Sequence, residues 1–278
     1  MSLIVDRVPV LLGATGLLGS SIKTTLRIPE HRVFKREIYS TWNSNSSHER
    51  ILDNLRVHDL NKLDIFVATG ITNPNSDPDL IWKLNFDIPR SLINATKDSG
   101  ARVITFGTIH EFYAVENEYF ASKRALVDYL QSTSGPSNSR HFQLHTLYND
   151  NPPPGFMFLG QMYRAIKESS VFSMSSGMQL REFHHVDDVT RSVLKLLNCP
   201  SEKIQDISAG IGIPIRELAK EVFATFDSES KLHLGAFSSP IGDNFDRVFR
   251  MTEGLRLTDF RDPLIEIPRI FKRLLGEI

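Results

Sequence analysis

Tyr119-Phe120-Ala121-Ser122-Lys123 sets a phenol and an ammonium four residues apart, a spacing that puts both on one face of a helix. A tyrosine with its ordinary pKa of about 10 is a poor acid-base group at neutral pH. A fixed ammonium beside it stabilises the phenolate and lowers that value toward the working range. Upstream, an apolar run ends in Gly107-Thr108, and the Thr108 hydroxyl can reach the same substrate oxygen as Tyr119. Thr108, Tyr119 and Lys123 form the candidate catalytic set, suited to moving a proton at a hydroxyl or a ketone.

A second constellation lies near the start. Gly13-Ala14-Thr15-Gly16-Leu17-Leu18-Gly19 carries three glycines at spacing three and three, after an apolar run and before a helical pattern. A tight turn there brings bare backbone against a pyrophosphate, and the helix behind it offers free N–H groups and the positive end of its dipole. Gly13, Thr15, Gly16, Leu17, Leu18 and Gly19 are therefore candidate dinucleotide-binding residues. Some 20 positions further on, where an acid that grips a ribose 2′-hydroxyl is expected, stands Glu37, preceded by Lys35 and Arg36. A guanidinium suits a 2′-phosphate equally well. NADP and NAD both stay open, with Lys35 and Arg36 tilting the choice to NADP. His184-His185 invites a metal, but adjacent side chains point apart and no partner His or Cys stands at ligand spacing, so no metal site is expected.

These residues need a frame that brings strand ends together. Strand-length apolar runs at 8–12, 32–35, 64–68, 102–106 and 142–147, with a weaker one around Val57, alternate with helical patterns at 17–26, 80–97 and 119–131. Such alternation reads as an α/β fold, a doubly wound parallel sheet covered on both faces. Pro9 cannot donate to a central ladder and is expected at its strand's first residue. The proline cluster Pro152-Pro153-Pro154 ends the regular alternation. It divides a dinucleotide-binding domain, 1–150, from a smaller mixed lobe, 151–278, some segments of which return to the first domain. Helices are expected there around 158–167, 187–197, 215–226 and 263–275, with a short strand near Phe183.

Composition narrows the partners. The 278 residues are 41% hydrophobic and 23% charged with a net charge of -1, an ordinary globular balance without a basic field for nucleic acid or membrane surfaces. Neither is an expected partner, and a homodimer is left open. No uncharged apolar run approaches the roughly 18 residues of a membrane helix. Val8 to Ser20 is a poor signal-peptide core, since Asp6 precedes it and glycines punctuate it. The single cysteine, Cys199, excludes an internal disulfide. A cytoplasmic location is expected.

Together these motifs resemble the extended short-chain dehydrogenase/reductase superfamily, in its nucleotide-sugar epimerase, dehydratase and reductase branch, over nearly the whole chain. The resemblance implies a Rossmann-type domain, a substrate-binding lobe and a nucleotide-sugar substrate. It places Thr108, Tyr119 and Lys123 on the family's catalytic positions. Asp59-Leu60 resembles its adenine-contacting acidic turn, Ala68-Thr69-Gly70 its loop beside the cofactor, and Pro78 with Asn85 a spacing in the helix that follows. Tyr148-Asn149 is similar to a Phe-Asn whose amide, here that of Asn149, contacts substrate phosphate. Leu180-Arg181-Glu182-Phe183-His184-His185-Val186-Asp187-Asp188 resembles the signature Leu-Arg-Asp-Phe-x-His-Val-Asp-Asp, with Glu for Asp and an extra His. Arg181 would then hold the pyrophosphate, and Arg247 stands where relatives often carry a second phosphate-binding arginine.

Two departures bear on the substrate: Thr108 and Tyr119 stand 11 positions apart, where many relatives have a loop about twice as long, and the substrate lobe is short. Family dehydratases carry Asp-Glu directly after the Ser/Thr; Ile109-His110 stand there. Family 3,5-epimerases use a Cys nearby, and Cys199 is far along the chain. Reduction of a nucleotide-linked 4-keto-deoxysugar is the expected reaction. Epimerisation at C4 with a retained NAD is the alternative, and a dinucleotide-binding sensor or scaffold without turnover is a second.

Overall fold

The computed structural model describes residues 7–43, 47–56, 58–112, 117–132, 138–199, 202–239, 242–245 and 249–277. The strands are β1 (Val8–Leu12), β2 (Val33–Phe34), β3 (Leu63–Val67), β4 (Arg102–Thr108), β5 (Arg140–Leu144), β6 (Thr146–Tyr148), β7 (Phe172–Ser173), β8 (Leu180–Arg181), β9 (Phe183–His185), β10 (Ile204–Ile207), β11 (Ile213–Pro214) and β12 (Leu232–His233). The helices are α1 (Leu17–Thr25), α2 (Arg36–Tyr39), α3 (His48–Leu55), α4 (Pro78–Trp82), α5 (Ile88–Thr96), α6 (Glu118–Ser132), α7 (Phe158–Lys167), α8 (Val186–Leu196), α9 (Ile215–Thr225) and α10 (Pro263–Leu275). None among the described residues is long and apolar enough to cross a membrane.

The chain forms two compact units, the first from the described residues of 1–112, 116–144 and 190–207, the second from 145–189 and 208–278. The main chain thus leaves the first unit at Leu144, ahead of the proline cluster expected to mark the boundary. A continuous strand over 142–147 is not formed. It stops at His145, β5 staying in the main sheet and β6 pairing with β9 in the second unit.

The first unit is a six-stranded sheet in the order β10-β5-β4-β3-β1-β2, with every pairing parallel. One face, through Val10, Leu12, Ile65, Val67 and Val103, packs on Ile51, Leu55, Ile88, Leu92, Leu126 and Leu130 of α3, α5 and α6. The strand residues of opposite parity, Leu11, Phe66 and Ile104, are also buried, so β1, β3 and β4 lack the alternation of a half-exposed sheet. The α1 and α8 helices are joined by a buried Ser21–Thr190 hydrogen bond of 2.8 Å. Pro9 is the strand's second residue, not its first; β2 pairs with Leu11 and Leu12 alone, so at Pro9 β1 is an edge, where proline is tolerated.

The single helix expected over 80–97 is interrupted. Asp77 caps α4 by accepting from the Asp79 N–H at 3.0 Å, with Pro78 in the first turn. Lys83 to Asp87 then form a π-helical turn before α5 begins. Pro89 has no N–H to give to the carbonyl of Asn85, and a widened turn is a common solution. The fully buried Asn85 lies within this turn. β10 and α3 were not expected; Val57 lies outside the described residues.

At the amino edge of the sheet, Asp64 accepts from Arg7 at 2.5 Å and from both Nε (2.9 Å) and Nη2 (2.5 Å) of Arg102. The two guanidinium groups also reach the carbonyls of Leu63, Gly100 and Leu197.

The second unit packs α7, α9 and α10 around Met162, Phe172, Phe183, Leu218, Phe223, Ile270 and Phe271. α10 reads directly from its sequence: Asp262 caps it, Pro263 occupies the first turn, and Gly276 ends it with φ +77°.

Removing the carboxylate that binds two partly buried guanidinium groups leaves both uncompensated, which costs about 3 kcal/mol. Asp64→Ala is expected to lower unfolding stability by that amount in urea titrations followed by the fluorescence of buried Trp42.

Candidate functional site

Parallel register brings the candidate residues of the first unit to one edge. Leu12 lies opposite both Phe34 and Val67, and Val67 opposite Thr105. Gly13, Lys35 and Ala68 therefore leave neighbouring strands side by side, at the carboxyl ends where ligands bind in such sheets. Gly13 has φ +84°, and a Cβ there would stand 2.5 Å from the Ala68 carbonyl oxygen. A Cβ on Gly19 would overlap the Gly13 carbonyl. Gly16 differs: it caps α1 without a side-chain bond, and a Cβ on it would meet nothing nearer than 3.6 Å. The protein's own packing does not require glycine at 16. Bare backbone there, before a helix with no acid in its first turn, fits an incoming pyrophosphate. Thr15 is exposed beside it, and Leu17 and Leu18 are half-buried.

Lys35, Arg36 and Glu37 are exposed just past β2, with Glu37 in the first turn of α2. Ala68-Thr69-Gly70 follow β3. The buried Thr69 hydroxyl donates to the Leu84 carbonyl at 3.3 Å, and a Cβ on Gly70 would lie 3.2 Å from Asn85 Oδ1 and 3.6 Å from Lys123 Nζ. Asp59-Leu60 is a correction. It precedes β3 at the sheet's amino edge, roughly 16 Å of strand from the glycine loop, and the Asp59 carboxylate accepts from the Asn61 N–H at 3.1 Å, capping a short 3-10 turn. It is on the wrong edge to touch a dinucleotide on Gly13 to Gly19.

Thr108, Tyr119 and Lys123 do come together. Thr108 ends β4, its hydroxyl accepting from the His110 N–H at 3.3 Å and lying close enough to Tyr119 to act on its phenol. Lys123 Nζ donates to the Phe106 carbonyl at 2.8 Å. α6 is fixed at its start by Asn117, which accepts from the Phe120 N–H at 2.9 Å, and by Trp82 Nε1 donating to Glu118 at 2.5 Å. Inside it, Ser122 donates to the Tyr119 carbonyl and accepts from Asn85 Nδ2 at 3.1 Å, while Asn85 also exchanges two hydrogen bonds with the Ile71 backbone. Asn85 thus ties the loop after β3 to the helix of Tyr119.

The charges do not follow the simple expectation of an ammonium that lowers the tyrosine. Burial, and next the Glu111 carboxylate, push the Tyr119 phenol well above its ordinary value against the Thr108 hydrogen bond. Lys123 is pulled down to about 8 by burial, with Glu111 acting upward. Sequence reasoning missed Glu111, His141 and Gln143, all buried around Thr108. The available signal was the alternation of polar residues along His141-Phe142-Gln143-Leu144-His145 in an otherwise apolar sheet.

In the second unit, Asn149 accepts from the Asn151 N–H at 3.1 Å, a local turn that leads into the prolines. Arg181 is already paired: Nη2 lies 2.5 Å from Asp243 and Nη1 donates to the Leu180 carbonyl. Glu182, buried, accepts from Ser208 Oγ at 2.8 Å and the Ala209 N–H at 2.9 Å, with His184 Nε2 at 2.9 Å and His145 Nε2 at 3.9 Å. Burial pushes this carboxyl up, but the His184 hydrogen bond, the two imidazoles and the Ala209 N–H outweigh it and bring it to about 2. The His185 ring instead stands edge-on to Tyr148 at 5.3 Å. Among the described residues no group of three or more His, Cys, Asp or Glu is arranged to hold a metal ion. Arg247 lies outside the described residues.

Residues 10–210 match the family model of the NAD dependent epimerase/dehydratase family. No curated protein sequence matches the chain. Among solved structures, the chain resembles UDP-N-acetylglucosamine 4-epimerase from Methanobrevibacter ruminantium M1 in complex with UDP-N-acetylmuramic acid, with TM-score 0.72 and 16% identity over 98% of this chain and 99% of that one. UDP-glucose 4-epimerase from Thermotoga maritima with UDP-glucose gives 0.73 and 14% over 96% and 99%. The dTDP-4-dehydrorhamnose reductase from Bacillus anthracis str. Ames in complex with NADP gives 0.69 and 17% over 98% and 99%.

The three glycines are expected to separate on substitution. Gly19→Ala overlaps backbone and should lose roughly 2 kcal/mol of stability, whereas Gly16→Ala should leave thermal unfolding unchanged; calorimetry of the two variants checks this.

Proposed function

Because the chain belongs to the NAD dependent epimerase/dehydratase family, we propose that it reduces the ketone of a nucleotide-linked 4-keto-deoxysugar. NAD(P), when bound, supplies the hydride. The glycine loop provides the pyrophosphate cradle, and Lys35 with Arg36 favour NADP over a Glu37 contact with NAD. Thr108 hydrogen-bonds the carbonyl oxygen. Tyr119 gives that oxygen its proton as it becomes an alcohol, and Lys123 steadies the phenolate that is left.

The observation that carries reduction over epimerisation is the state of Tyr119. Tyr119 is half-buried, and desolvation together with the Glu111 carboxylate favours the protonated phenol. A group that begins as a proton donor serves a ketone, whereas epimerisation of an alcohol must begin by taking a proton away. Ile109-His110, where family dehydratases carry Asp-Glu, also speaks against elimination of water.

In the second unit Arg181 is the residue proposed for the nucleotide's phosphates, with Asn149 beside the turn and Arg247 as a further candidate. A phosphate must displace the Asp243 carboxylate to use the Arg181 fork.

Tyr119→Phe is expected to reduce turnover by about 10²-fold or more while leaving the Kd for NADPH unchanged, measured by fluorescence titration; comparable turnover would remove Tyr119 from the reaction. Retention of stoichiometric NAD through dialysis, with conversion of a nucleotide sugar and no consumption of added NAD(P)H, would replace reduction by epimerisation. A rise in Tm with dinucleotide but with no nucleotide sugar would leave a binding protein. Asp243→Asn is expected to tighten binding of UDP or dTDP about tenfold, close to 1.4 kcal/mol, read by calorimetric titration.

A further inference from the structure

Glu111 sits in the turn that follows β4, and its side chain folds back beneath the strand end. Oε1 accepts from the Thr108 N–H at 2.7 Å, and Oε2 accepts from Gln143 Nε2 at 2.9 Å. His141 Nε2 is 3.7 Å from Oε1, too far for a hydrogen bond, while its Nδ1 meets Thr105 Oγ1 at 2.8 Å. The carboxylate is wholly removed from solvent. Room for it comes from Gly107, where a Cβ would overlap Glu111 Oε1 and His141 Nε2. The main-chain carbonyl of Glu111 accepts from Arg124 Nε at 2.8 Å, fastening the turn to the residue next to Lys123.

A carboxylate in such a place is costly unless compensated, and among the described residues no guanidinium is paired with it. The groups that face it are Thr108 on β4, His141 and Gln143 on β5, and Tyr119, Lys123 and Arg124 on α6. As a filler it would be a poor choice, since an apolar side chain of the same volume occupies such a hole without the desolvation. Its charge matters where it stands, one residue from the catalytic hydroxyl and within influence of both proton-handling groups.

Resting on the reductase reading above, we propose that Glu111 is a positioning residue: it fixes the Thr108 backbone through its N–H and places a buried carboxylate beneath the catalytic group. Both electrostatic effects of that carboxylate favour the protonated form. Glu111 acts upward on Lys123, against burial, and upward on Tyr119. Neutralising Glu111 lets Lys123 lose its proton, and Tyr119 give up its own, at lower pH. The alkaline limb of ketone reduction then moves to lower pH.

The test titrates Lys123 by NMR of protein carrying carbon-13 at the lysine ε-carbon, the signal assigned with Lys123→Met, in the wild type and in Glu111→Gln. A midpoint lower by about one unit or more, the size expected for loss of a nearby opposite charge, supports the proposal. The alkaline limb of kcat should shift alike while the KM for NADPH holds. An unchanged Lys123 midpoint overturns it whatever the activity. If Glu111→Gln does not fold, Glu111→Met combined with Gln143→Met, which removes the charge and its side-chain partner together, is read the same way. Because the titration needs no substrate, a wild type that reduces no keto sugar but shows the shift rejects the reaction and leaves the electrostatic role of Glu111 standing.

Discussion

Parallel pairing obliges every strand of the main sheet to leave by one edge and every crossover to return the chain to the other, and the two edges have become chemically unlike. At the amino edge, where strands begin, Arg7 and Arg102 are neutralised by Asp64 and spend their remaining donors on main-chain carbonyls. That edge is sealed. At the carboxyl edge the backbone turns away in loops whose glycines leave peptide groups bare, and helix α1 starts without a side-chain cap. Free N–H groups there are what an anionic ligand needs.

Unequal strand lengths do the rest. β3 stops at Val67, opposite Thr105, while β4 runs on to Thr108 beside β5. Past the end of β3, the Phe106 carbonyl is taken by Lys123 and the Thr108 N–H by Glu111. Two buried charges of opposite sign are thus held chiefly by main-chain groups rather than by each other. A direct salt bridge would have tied up both charges. Held apart, they leave Glu111 acting on both Tyr119 and Lys123.

β1, β3 and β4 were legible because each is a largely apolar run, and the helix of Tyr119 because its residues are helix formers without Gly or Pro. What was hidden had local reasons. β10 is the mixed sequence Ile-Gln-Asp-Ile at an edge, half-buried and without strong alternation. α3 shows two buried positions, Ile51 and Leu55, in eight residues. The break in 80–97 follows from Pro89 and from the burial of Asn85, a tertiary demand that periodicity does not carry. Thr108, Tyr119 and Lys123 could be named from spacing, but the acid beneath them could not. Glu111 reads as a surface turn residue until Gly107 and Gln143 are seen to enclose it. Asp59-Leu60 misled for a related reason: a two-residue motif says nothing of which edge of the sheet it occupies.

The segment carrying Arg181 shows how departures from a family pattern can compensate one another. Glu182 replaces the expected Asp and is one methylene longer, and His184 occupies a position that the signature leaves free. In the structure these two residues meet, with His145 behind them and Ser208 and Ala209 completing the carboxylate's hydrogen bonds. A longer acid alone would bring a buried charge short of partners, and an added histidine alone would bury an imidazole. Here Ser208 and Ala209 satisfy the carboxylate, and the His184 imidazole stands beside it at 2.9 Å. Arg181 ends β8 directly before Glu182, so the anchored carboxylate fixes the backbone from which the guanidinium projects. Glu182 is wholly buried and anchored inward by Ser208 and the Ala209 N–H, whereas Arg181 is held by the single carboxylate of Asp243 and by its neighbour's carbonyl, which leaves the guanidinium the more exchangeable of the two.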